Sequence, residues 1–260
     1  MISPSKIFLE LVLLAVVMVL LRKRGRSSRS TFVLWFAGLA LVLNVLFYYL
    51  AAWPLYSSFG QSQGITDATL HLLVWFDIVK WVVLAYFLSR FVVKVPEQTQ
   101  PGGFLLLRQR RHGWTIVVAG ILGGLLTTIL IYSLSYAEYY LGFLEAMPWS
   151  YIKENDLYCQ LGLWGGLRNL AGEEILTRLG AQSVLLYLLA KYRLAPFFAI
   201  LLSSLYFEFW HNGFRELYFL NFSASLVFGW IYQKFGYESA ATSHCVADWM
   251  GLVVIPRVMF

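Results

Sequence analysis

A chain of 260 residues that is 59% hydrophobic and 13% charged, with a mean hydropathy of +0.66, is not built around a water-soluble core. Its apolar runs are continuous rather than alternating over about ten residues, which excludes a β-barrel and leaves helices, whose backbone is satisfied internally in hydrocarbon. The formal charge of +6 does not mark a nucleic-acid binder, because the basic residues gather in loops between apolar runs, where they set membrane orientation.

In chain order, spans are expected near residues 7–21, 31–52, 70–91, 114–136, 161–189, 196–211, 217–232 and 239–255. These make about eight helices of an all-α integral membrane protein, its solvent the lipid bilayer, each near the roughly 20 residues that cross hydrocarbon. The first run has the length of a signal peptide. However, Arg22, Lys23, Arg24, Arg26 and Arg29 follow its apolar core, and no small-residue cleavage site is evident, so it reads as a retained anchor. Placing that basic loop in the cytoplasm brings Arg90, Lys94, Arg108, Arg110 and Arg111, then Lys191 with Arg193, and Lys234 to the same side. Glu138, Glu145, Glu154 and Asp156 then fall outside with both termini, as expected for a cell-membrane protein.

Pro96, Pro101, Gly102 and Gly103 mark a loop that divides the chain. The expected units are a three-span region over residues 1–94, a basic cytoplasmic linker over 95–113 and a five-span region over 114–260. Three roles are open to the N-terminal spans: docking substrate, binding a partner membrane protein, or anchoring. No repeat or heptad series is visible, and the terminal Arg-Val-Met-Phe lacks a lipidation cysteine. Cys159 and Cys245 form no C-x-x-C pair and suggest neither a disulfide framework nor a zinc site.

An ionisable side chain near the bilayer centre costs about 2.5–3.5 kcal/mol on insertion scales, so each one inside a span needs a reason. Asp77 and Lys80, three apart on one helical face, are expected to neutralise each other as a structural ion pair. The remaining group spreads over three apolar regions. Glu173-Glu174-Ile175-Leu176-Thr177-Arg178 sets Glu174 and Arg178 four apart with the acid first, the favoured order for a helical salt bridge and a mark of structural support. Glu173 projects about 100° away around the helix and keeps a free carboxylate, a candidate general base.

Phe207-Glu208-Phe209-Trp210-His211 ends the apolar run beginning at Pro196. Alone, its histidine among aromatics reads more readily as packing than as catalysis. His244-Cys245-Val246-Ala247-Asp248 puts His244 and Asp248 on one face, which alone reads as an Asp-oriented structural histidine. Explaining all three by packing requires three independent coincidences, which favours one shared site.

The order E-E-x-x-x-R, F-x-x-x-H, H-x-x-x-N/D resembles the motif set of the CAAX-protease and bacteriocin-processing family, also called the Abi family. These are glutamic-type intramembrane endopeptidases and include the Ras-converting CAAX endopeptidase. The likeness covers about residues 114–255; Ser203-Ser204-Leu205-Tyr206-Phe207 before His211, and Phe228-Gly229-Trp230-Ile231-Tyr232 with Gly236 before His244, fit it. Two positions depart: Asp248 stands where the family usually has Asn, and Thr177-Arg178-Leu179-Gly180 replaces the common Phe-Arg-Gly.

The resemblance implies a catalytic set of Glu173, His211, His244 and Asp248, supported by Glu174, Arg178 and Phe207, with no cofactor. Glu173 and His211 would activate water to cut a membrane-associated protein or peptide, and His244 with residue 248 would stabilise the oxyanion. Asp248 meets that role only when protonated, and otherwise orients His244. Counted from the cytoplasmic ends at 1.5 Å per residue, His244 is expected roughly 12 Å nearer the cytoplasm than Glu173 and His211, a gap that tilt or a break at Gly180 would close.

Rival readings stay open. Glu208 and His211 form an E-x-x-H pair, and with Glu173 and His244 they make a candidate metal set, although no H-E-x-x-H is present. A proteolytically inactive scaffold, immunity factor or partner-binding subunit would retain the fold and explain Asp248. Buried Glu, His and Asp also build proton relays, but inverted halves with paired helix breaks are not evident. Cys245 projects away from His244 and has no neighbouring base.

Overall fold

The structure is a computed structural model that describes residues 4–22, 30–94, 113–142, 156–170, 172–212 and 219–259. The expected linker loop at 95–112 lies outside the described residues. All regular elements among those described are helical. Helix α1 spans Pro4–Arg22, and α2, Ser30–Leu46, runs through a π-helical Phe47–Ala52 into α3, Trp53–Ser62. Helix α4 is Asp67–Lys94, α5 is Gly113–Tyr140 and α6 is Asp156–Asn169. A π-helical run, Ile175–Gln182, continues into α7, Ser183–Leu188, followed by α8, Ala195–Asn212, and α9, Phe219–Trp249. A π-helical Met250–Val254 leads to α10, Ile255–Met259.

Among the described residues, three stretches are long and apolar enough to cross a membrane by themselves: Thr31–Ala52, Asp67–Val93 and Gly113–Tyr140. Phe8–Leu21 and Ile175–Leu188 are apolar but shorter. Trp35, Leu72, Trp114, Phe197 and many other large apolar side chains face outward, while Glu174, Arg178, Gln182 and Glu208 have no exposure. That inversion of the water-soluble pattern is the arrangement of an integral membrane protein.

The fifth expected span, 161–189, is not one helix. It stops at Asn169, turns and restarts, with Ile175 N–H donating to Gly172 O at 2.9 Å. Tyr237 Oη donates to the Leu170 carbonyl at 2.9 Å, replacing one of the bonds lost at the turn. Gly172 permits the turn because a Cβ there would lie 2.9 Å from the Arg168 carbonyl oxygen.

Within α9 the backbone leaves the helix at Gly236, with φ 80° and ψ −179°. Phe228 and His244 flank this point, eight residues to either side, and their rings stack with centroids 4.7 Å apart. A straight helix would separate them by about 24 Å at 1.5 Å per residue. The chain therefore doubles back at Gly236, and the expected spans 217–232 and 239–255 become the arms of a helical hairpin.

The second arm packs closely on α5. Gly120, Gly123 and Gly124 present backbone to Thr242, Ser243 and Val246, while Ser239 Oγ and Ser243 Oγ donate to the Ile116 and Gly120 carbonyls at 2.9 Å. Small residues that let backbones approach, with hydroxyls bonding across the contact, hold helices together where lipid offers no hydrophobic contrast. The N-terminal helices share a core with the π-helical run, because Leu13, Leu84 and Leu88 join Ile175, Leu176 and Leu179 in one buried cluster.

Candidate active site

The break after Asn169 and the reversal at Gly236 bring four regions around one cavity of about 280 Å³. Glu173, His211, His244, Asp248 and Phe207 line it, joined by Arg168, Asn169 and Asn221. Glu174 and Arg178 lie behind its wall without solvent exposure.

Arg178 holds that wall together. Its Nε donates to Glu174 Oε2 at 3.0 Å, Nη1 to Gln182 Oε1 at 3.1 Å and Ser203 Oγ at 3.3 Å, and Nη2 to the Ser225 carbonyl and hydroxyl at 3.0 and 2.6 Å. A guanidinium has five N–H donors, and each has an acceptor here. Its complete burial is tolerable for that reason, and the group ties the π-helical run to α8 and the first arm of α9. Gly229 leaves it room, since a Cβ there would come within 3.0 Å of Arg178 Nη1.

Adjacent glutamates serve different neighbours. Glu174, ionised against Arg178, accepts from His244 Nδ1 at 3.0 Å. Glu173 turns into the cavity, where its Oε2 lies 3.1 Å from His211 Nε2 and 4.0 Å from His244 Nε2. Asp248 Oδ1 is 3.8 Å from His244 Nε2, so Glu174, not Asp248, makes the close contact that orients that ring. The expected depth gap between His244 and Glu173 is absent. Gly180 is not a break either: it sits inside the π-helical run, which winds more residues into each turn and covers less depth per residue.

Hydrogen-bond chemistry assigns the tautomers. The Phe207 carbonyl can only accept, so His211 Nδ1–H donates to it at 3.0 Å and leaves Nε2 facing Glu173. A hydrogen bond between Nε2 and Oε2 then needs a proton shared by the pair, as imidazolium with carboxylate or imidazole with carboxylic acid. By the same logic His244 Nδ1–H donates to Glu174, and its Nε2 can donate into the cavity only when the ring is protonated. Phe207 and Trp210 pack on His211 at centroid distances of 4.1 and 4.8 Å and restrict the ring.

Glu208, the other half of the E-x-x-H pair, is fully buried and does not line the cavity. Among the described residues no group of three or more His, Cys, Asp or Glu side chains has the arrangement of a metal site. Cys245 is buried and also absent from the lining.

Three polar features lie beyond the sequence motifs. Arg168 Nε donates to Asn44 Oδ1 at 2.9 Å, and its guanidinium packs over Phe47 and Trp81 at 4.7 and 5.0 Å. Asn169 Nδ2 donates to Asp248 Oδ2 at 2.7 Å. Lys80 is flanked by Asp77 Oδ1 at 2.6 Å, the expected pair, but also by Glu10 Oε2 at 3.1 Å from α1. Trp210 Nε1 donates to Glu10 at 3.0 Å and Trp81 Nε1 to Asp77 at 3.2 Å, while Tyr48 Oη also donates to Asp77. The available signal was a polar residue within an apolar run, as at Glu10, or directly before a predicted break, as at Asn169.

Residues 157–250 match the family model described as Type II CAAX prenyl endopeptidase Rce1-like, a segment that contains every cavity-lining motif residue. No curated protein and no solved structure matches the chain.

Proposed function

We propose that the chain is a member of the CAAX-protease family, whose Rce1-like model residues 157–250 match, and that it is an intramembrane glutamic-type endopeptidase acting on a membrane-associated protein or peptide. The observation that carries this reading is the 3.1 Å contact between Glu173 Oε2 and His211 Nε2 inside a cavity. A carboxylate and an imidazole sharing one proton can take a proton from water and deliver another to a leaving group.

The step balances on that pair. Glu173 accepts a water proton as the water oxygen bonds to the carbonyl carbon, and the carbonyl π electrons move to oxygen. His244, protonated at Nε2 and oriented by Glu174, donates to the resulting oxyanion. When the oxyanion collapses, the C–N bond breaks and the Nε2 proton of His211 passes to the amine. The pair has then gained one proton and lost one, and returns to its starting state. Water appears in the products as the acyl hydroxyl and the amine hydrogen. No metal takes part in this scheme, and cleavage that persists in excess chelator is its expected behaviour.

In the same reading about eight spans cross the cell membrane, residues 114–260 form the catalytic unit, the basic loops face the cytoplasm and both termini lie outside. Proteomic comparison of membranes carrying wild-type protein or Glu173→Gln identifies the substrate. Glu173→Gln and His211→Ala are expected to abolish its cleavage by folded, inserted protein. Undiminished cleavage by either variant refutes the mechanism.

A second reading is favoured by Asp248, a carboxylate where the family motif carries an amide. On it the chain is a proteolytically inactive scaffold or immunity factor. Its signature is a wild-type protein that cuts nothing, while replacement of cavity residues releases a bound partner.

A further inference from the structure

Resting on the peptidase reading, we infer that Asn169 supplies the amide N–H to the oxyanion and that Asp248 is the residue that positions it. Few groups around the cavity are able to donate a hydrogen bond. Glu173 and Asp248 are carboxylates and accept. His211 spends Nδ1–H on the Phe207 carbonyl and Nε2 on Glu173. His244 spends Nδ1–H on Glu174, which leaves only Nε2 of the protonated ring. A single donor is a thin oxyanion site in a reaction that develops a full charge on oxygen.

The remaining lining donors are Arg168, Asn169 and Asn221. Arg168 faces Glu173 as a nearby charge, but of the three described donors Asn169 is the one hydrogen-bonded to a motif residue that lines the cavity. Its Nδ2 lies 2.7 Å from Asp248 Oδ2; Asp248 Oδ1 lies 3.8 Å from His244 Nε2; and that nitrogen lies 4.0 Å from Glu173 Oε2. Arg168 is held by Asn44 through Nε and lies over aromatic faces on the N-terminal side.

Asn169 Nδ2 donates to Asp248 Oδ2, which holds the amide with its nitrogen toward the carboxyl group. One of the two Nδ2 hydrogens is used in that bond, and the other remains to donate to the substrate. Asp248 therefore does not delete the amide that its position usually carries in this motif set. The amide stands one hydrogen bond away, on Asn169, where α6 ends at the cavity. Asn169 is only 3% exposed and Asp248 ties it to the second arm of α9, which gives the donor the fixed position oxyanion stabilisation requires.

The test uses full-length protein in liposomes and a peptide spanning the cleavage site whose processing stops in Glu173→Gln membranes. Asn169→Ala is expected to lower kcat by about 10²- to 10³-fold with KM within about threefold, the usual loss for one oxyanion donor. Its affinity for a phosphinate version of that peptide, which mimics the tetrahedral oxyanion, is expected to fall by a similar factor while product-peptide affinity holds. The exchanged pair Asn169→Asp/Asp248→Asn keeps the hydrogen bond and side-chain volumes, and is expected to recover at least tenfold over Asn169→Asp alone. The inference is overturned by an Asn169→Ala enzyme within threefold of wild-type kcat, by equal loss of phosphinate and product affinity, by no recovery in the exchanged pair, or by Asn221→Ala carrying the loss instead. Unaltered cleavage by Glu173→Gln refutes the peptidase reading itself.

Discussion

Replacing Arg178 with methionine probes the wall behind the cavity, because it keeps much of the apolar stem while removing all five donated hydrogen bonds. Glu174 then keeps its charge without solvent exposure and with His244 Nδ1 as its one remaining described partner. Removing one side of a buried ion pair costs about 3–5 kcal/mol, since the survivor's desolvation is no longer offset. At about 2–4 °C per kcal/mol for a chain of roughly this size, the melting midpoint should fall by about 6–20 °C. Thermal unfolding in detergent, followed by far-UV circular dichroism, measures it.

The double variant Glu174→Leu/Arg178→Met removes both charges and should regain most of the lost midpoint, as replaced buried pairs commonly do. It should not regain peptidase activity, because His244 has lost the carboxylate that orients it. A single variant melting within about 2 °C of wild type, or a double variant melting below the single, would refute the argument that Arg178 is tolerated only through its complete set of partners.

Gly236→Ala places a Cβ on a residue at φ 80° and ψ −179°, a region open essentially to glycine, and should cost about 1–3 kcal/mol in the same melt. Because the hairpin carries the Phe228–His244 stack, that variant should also lose turnover in the peptide assay. Gly124→Val presses side-chain atoms into the contact where a Cβ alone would lie 2.7 Å from the Ser243 carbonyl oxygen. It should destabilise by roughly 1–3 kcal/mol, whereas Val at Gly38, where a Cβ meets nothing within 4 Å, should change the midpoint little. Lys80→Met leaves Glu10 and Asp77 without their shared cation and should cost about 1–3 kcal/mol, less than Arg178→Met, because the lysine side chain retains 20% exposure. Lys80→Arg should recover part of that loss in the melt.

Residues three or four apart on one helix are neighbours whatever surrounds them, which is why the Glu174–Arg178 and Asp77–Lys80 pairs were legible in the sequence and occur in the fold. The apolar runs announced membrane helices for an equally local reason. Motif order also placed Glu173, His211 and His244 among the same few candidates, but order carries no distance. The expected 12 Å offset of His244 assumed straight helices. It failed because one expected span stops at Asn169 and restarts, and the run that follows is π-helical from Ile175 to Gln182.

By itself, then, the sequence determined the solvent, the helical class and the two ion pairs made within one helical turn, Glu174–Arg178 and Asp77–Lys80. Only the tertiary structure decided which glutamate meets which histidine, that Glu10 from the first helix joins Lys80, and that Asn169 stands against Asp248. Those contacts join residues 70 to 79 or so apart, or, for Glu173 and His211, across a turn and two helices. Such register is set by where helices break, reverse and pack, and no periodicity within a single helix encodes it.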